Sequence, residues 1–160
     1  MKPILIGVAD TIEQEFDSDF YKNASTMEKY FQLLSRSVDK LCDFLGTDAK
    51  KLSPYLTDFV SIDSLSLGRS GYGHAVRDAN DLGFTGISCH MVDLGGASVG
   101  GAIHQAYSIV TSNPNAVVLI AAADSVATAI AGFMDDEAPT ASEEGEREIE
   151  RDNKVEPAYR

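Results

Sequence analysis

Gly95–Ser112, GGASVGGAIHQAYSIVTS, lies between two apolar runs, Ile87–Leu94 (ISCHMVDL) and Ala116–Ala123 (AVVLIAAA). The left run opens with six residues rich in strand formers, and the right run is continuous enough to read as a buried strand. The middle piece reads as a glycine elbow followed by a helix. Ser98 is placed to cap the helix, and Val99, Ala102, Ile103, Ala106 and Val110 recur at helical spacing until Asn113-Pro114 ends it. Glycines at 95, 96, 100 and 101 allow a sharp turn and a close approach of helix to sheet. A helix N-terminus at the carboxyl end of a strand favours an anion or a developing oxyanion. Any chemical site is therefore expected at Gly95, Gly96, Ala97 and Ser98, with Asp124 and Ser125 at the end of the following strand.

Outward from this stretch the chain alternates. Pro3–Ala9 (PILIGVA) predicts a buried first strand, and Asp10–Asn23 has no clear period and predicts a loop. Ser25-Thr26-Met27-Glu28 fits a capping box. Met27, Tyr30, Phe31, Leu34, Val38, Leu41, Cys42 and Leu45 follow at helical spacing, and Gly46 closes the run. Thr47-Asp48 caps a short turn interrupted at Pro54, and Leu56–Leu65 predicts a second strand leading into a loop at Ser66–Tyr72. His74–Leu82 predicts a short helix closed by Gly83, and Ser125–Ile130 a further helix. The order strand, helix, strand, helix, strand, helix, strand predicts an α/β fold, a layered βαβαβαβ unit with a mostly parallel sheet. No internal repeat interrupts it.

Beyond Phe133 the composition changes. Asp135–Asp152 carries nine carboxylates against Arg147 and Arg151, and the stretch to Arg160 holds Pro139 and Pro157 with almost nothing to bury. The expected division is an α/β domain over 1–133 and an acidic, mobile segment over 134–160. Over the 160 residues the net charge is −12, with 25 acidic and 13 basic side chains, which argues against nucleic acid and against anionic membrane surfaces as partners. No run reaches a membrane-spanning length, and the start of the chain does not read as a signal peptide. Cys42 and Cys89 give neither a disulfide framework nor metal spacing. A cytoplasmic location without a metal is expected.

The quoted segments carry a resemblance. PILIGVADT, the amphipathic helix over 25–45, FVSIDSL, GYGHAVRDANDLGFT and GGASVGGAIHQAYSIVTSNPNAVVLIAAADS together resemble the N-terminal half of the thiolase superfamily, nearest the sterol-carrier-protein-type and archaeal thiolase-like branch. The likeness covers roughly residues 3–126. It implies the N-terminal part of a thiolase-like fold and a superfamily of acyltransferases working on acyl-CoA thioesters in lipid metabolism. The family places a nucleophilic cysteine at the start of the elbow helix, where the helix dipole favours a thiolate. The family pattern, roughly Cys-Ala-Ser-Gly, two residues, then Ala-Ile, falls on Gly96-Ala97-Ser98 with Ala102-Ile103 in register. Gly96 therefore occupies the nucleophile's position and cannot be acylated. Where family members carry Glu-Ser after a Gly-rich strand end, Ala123-Asp124-Ser125 stands here. The family's other catalytic motifs belong to a C-terminal half, and Gly73-His74 does not match them. The expectation is a chain inactive alone as a thiolase, without a cofactor, that binds a coenzyme A thioester or acts with a partner subunit.

Cys89 with His90 as its base is excluded within one strand, because adjacent side chains point to opposite faces. Cys42 belongs to the core, and His74, His90 and His104 share no metal-ligand spacing; His104 falls off the apolar stripe of its helix. Three readings of the elbow remain open: close helix–sheet packing, an altered thiolase pocket whose N–H groups hold an acyl carbonyl, and a dinucleotide site with Asp124 on a ribose. The resemblance also implies that Ser88, Cys89, His90, Met91 and Val92 pair with their own copy across a two-fold axis. A homodimer or a thiolase-like partner subunit follows, since an unpaired strand edge is a liability. A non-catalytic dimerisation module and a nucleotide-binding oxidoreductase fragment are the alternatives.

Overall fold

The computed structural model describes residues 3–12, 23–63 and 73–124, and they form an α/β unit around a three-stranded parallel sheet. Helix α1 spans Thr26–Phe44, α2 is a single turn at Ala49–Leu52 continued by a 3-10 turn, and β1 spans Asp58–Ile62. Helix α3 follows at Gly73–Asp81, β2 at Ser88–Val92, α4 at Ser98–Ser112 and β3 at Val118–Ala121. The strand order is β2-β1-β3, with Val60 opposite both His90 and Ile120.

Local chemistry sets the element ends much as the sequence predicts. Ser25 accepts the Glu28 N–H while the Glu28 carboxylate accepts the Ser25 N–H, a complete capping box, and these bonds hold the Glu28 carboxyl below its ordinary range. At the other end of α1, Gly46 takes φ +67° and the Thr47 N–H reaches back to the Cys42 carbonyl, as a left-handed helix stop requires. Asp48 caps α2 through the Lys51 N–H, and Gly83 closes α3 at φ +85°.

β1 separates two layers. Its Phe59 and Ser61 face α1 and α3, where Tyr30, Leu34, Val38, Cys42, Ala79, Phe84 and Leu119 complete the core. Val60 points the other way, toward α4, whose Ala102 is fully buried. Among the described residues no helix is long and apolar enough to cross a membrane.

Two expectations are corrected. Pro3–Ala9 is not a buried strand: Ile4, Leu5, Ile6 and Val8 are exposed, and the segment lies outside the sheet. Its Gly7 instead approaches the far end of α1, where an added Cβ would stand 2.7 Å from Leu41 Cδ1. Seven apolar residues specify an extended segment, but sheet membership needs a partner edge that this arrangement does not bring to it. The second strand is also shorter than predicted, ending at Ile62. The loop at 66–72, the helix at 125–130 and the segment over 134–160 lie outside the described residues.

A buried polar cluster locks α1 and α3 onto β1. Tyr30 Oη donates to Asp78 Oδ2 at 2.8 Å, and the Ser61 hydroxyl lies 3.4 Å from the same oxygen. His74 Nδ1 is 2.8 Å from Asp78 Oδ2 but out of line for a hydrogen bond, and its ring meets Tyr30 edge-on. Burial, and then the Asp78 charge, push the Tyr30 phenol above its ordinary range. A raised folded-state pKa means that Tyr30 stabilises fully below about pH 10 and loses that contribution as alkaline pH ionises it. Tyr30→Phe strips Asp78 of its shortest donor and is expected to cost about 1–3 kcal/mol at neutral pH. The variant should also lose part of the alkaline fall in stability; urea unfolding at neutral and alkaline pH measures both effects.

Candidate functional site

The elbow sits at the carboxyl end of β2. Asp93 and Leu94 leave the strand, Gly95–Ala97 make one 3-10 turn, and α4 begins at Ser98. Gly95 turns the chain at φ +55°, a left-handed conformation that a side chain disfavours. Gly101 is the other glycine with a steric reason. A Cβ there would lie 2.5 Å from Leu94 Cδ1 and 3.0 Å from Val92 Cγ1, so α4 crosses close over the strand end. Gly96 and Gly100 have negative φ, and a Cβ on either would meet nothing within 4 Å.

Ser98 does not cap α4. It is the first helical residue, buried, and its Oγ accepts the Leu94 N–H at 2.9 Å. Ala97 takes the N-cap position and offers no side-chain acceptor, so the first turn of α4 is uncapped by side chains. The 3-10 turn shifts the cap by one residue, and the serine closes the elbow instead. Gly95, Gly96 and Ala97 are all exposed beside this helix start.

The apolar stripe of α4 is also displaced. Ala102 is buried, whereas Val99, Ile103 and Tyr107 are more than half exposed. Close packing through Gly101 and Ala102 turns the larger side chains outward. His104 is exposed, as its position off the stripe implies. Asp124 is exposed beyond the end of β3, and Ser125 lies outside the described residues.

Among the described residues β2 is an edge strand with β1 as its neighbour. Ser88 is exposed and Cys89, His90, Met91 and Val92 are half-buried. Cys89 packs against the α1–α3 core, and burial, followed by the Asp58 and Asp78 charges, raises its thiol pKa. Such a thiol stays protonated at neutral pH and is a poor nucleophile. His90 points to the opposite face. Its Nε2 lies 2.9 Å from Asp58 Oδ1, while the Thr57 hydroxyl donates to Asp58 Oδ2 at 2.7 Å.

The Asp58–His90 pair and the Asp78–Tyr30–His74 cluster were not foreseen. The first needs the β1–β2 register, which no local pattern supplies. The second leaves a trace, since His74 and Asp78 are one helical turn apart in α3. Among the described residues no group of three or more His, Cys, Asp or Glu side chains is placed to hold a metal ion.

Comparison with protein-family models, with curated proteins and with solved structures finds no match to this chain.

The two kinds of glycine at the elbow predict opposite responses. Gly95→Ala forces a side chain into the left-handed region and is expected to destabilise by about 1 kcal/mol. Gly96→Ala, with open space and negative φ, is expected to change stability by less than about 0.5 kcal/mol. Chemical denaturation of the two variants beside the parent provides the comparison.

Proposed function

We propose that this chain is a thiolase-like α/β unit that holds a coenzyme A thioester at the elbow without acylating itself, and that pairs through β2 with a second copy or a thiolase-like subunit. The observation that carries the reading is the exposed turn Gly95–Ala97 leading into a 15-residue helix whose first turn has no side-chain cap. Backbone N–H groups at such a start suit a polarised thioester carbonyl, and the helix dipole adds to their effect. Gly96 supplies no nucleophile, and the raised pKa of Cys89 argues against that thiol as a substitute. The chain therefore binds and orients; any bond cleavage uses groups contributed by its partner.

The open edge of β2 supports the pairing half of the proposal. Among the described residues no strand lies on the side of β2 away from β1, and its side chains include only one ionisable imidazole and one thiol. A purely architectural role, dimerisation without ligand, is the second reading and rests on this same edge.

Isothermal titration with acetyl-CoA and a long-chain acyl-CoA distinguishes them. Micromolar binding weakened at least about tenfold by Gly96→Trp is expected. A folded dimer with no heat of binding to either thioester would reject the ligand half and leave the architectural one. A monomeric mass by light scattering at tens of micromolar (on the order of typical subunit affinities) would reject the pairing half. A complementary variant, Gly96→Cys, restores a side chain where the backbone has room for one. Its thiol is expected to be alkylated faster at neutral pH than Cys89, because the helix start favours the thiolate.

A further inference from the structure

We draw no further inference here: the strongest candidate, the side-chain cluster in which Thr57 and Asp58 hold His90 of β2, carries nothing, because among the described residues no third His, Cys, Asp or Glu joins the pair as a metal ligand and nothing in the structure shows what the imidazole would act on.

Discussion

β1 is buried on both faces, and the placement of every other element follows from covering it. Phe59, Val60 and Ser61 are consecutive and wholly inaccessible. Because successive side chains of a strand point to opposite faces, one layer of helices cannot cover all three. The Phe59–Ser61 side takes α1 and α3, and the Val60 side takes α4. A two-layer packing would leave Val60 in water at a cost of about 1.5–3 kcal/mol. Flanking strands β2 and β3 satisfy the backbone of β1, which leaves the sheet with two edges whose outer sides carry no strand among the described residues. Central strand, two covering layers and two open edges are thus one consequence of a five-residue sequence, DFVSI.

The two layers are built from different chemistry. On the α1–α3 side, large side chains fill the space, and Asp78 draws Tyr30, Ser61 and His74 around a single buried oxygen. A carboxylate so enclosed is tolerable only with donors in place, so the cluster fixes where α3 sits along β1 as well as holding it down. On the α4 side, Gly101 and Ala102 bring the helix in close and little else is buried. The consequence appears on the outer surface. Val99 and Ile103, which an amphipathic reading turns inward, stand outside beside Tyr107 because the small residues win the contact.

What was legible in the sequence divides along the same line. Local signals were reliable: the capping box at Ser25–Glu28, the left-handed stops at Gly46 and Gly83, and the end of α4 at Asn113 were all where pattern and cap chemistry placed them. The α/β class followed from their alternation. Non-local choices were not legible. Whether PILIGVA joins the sheet depends on an available edge, and whether Val99 or Ala102 faces the strand depends on how close the helix approaches. Ser98 illustrates the boundary between the two. A serine before an apolar helical run reads as an N-cap, and only the inserted 3-10 turn makes it a brace for the Leu94 amide. The Asp58–His90 contact joins side chains from neighbouring strands, and its partners can be named only once the register is known.

The elbow brings these considerations to bear on function. If its glycines were there only to let a helix lie close to a sheet, each should have a backbone or steric reason. Gly95 has the first, in its positive φ, and Gly101 the second, in the side chains of Val92 and Leu94. Gly96 has neither. Its backbone is accessible to any L-residue and the space around its missing Cβ is empty. Packing therefore does not dictate glycine at position 96, nor at position 100, which shares the negative φ and the open space. Close packing accounts for the shape of the elbow through Gly95, Ser98 and Gly101, and it places no demand on the residue at position 96.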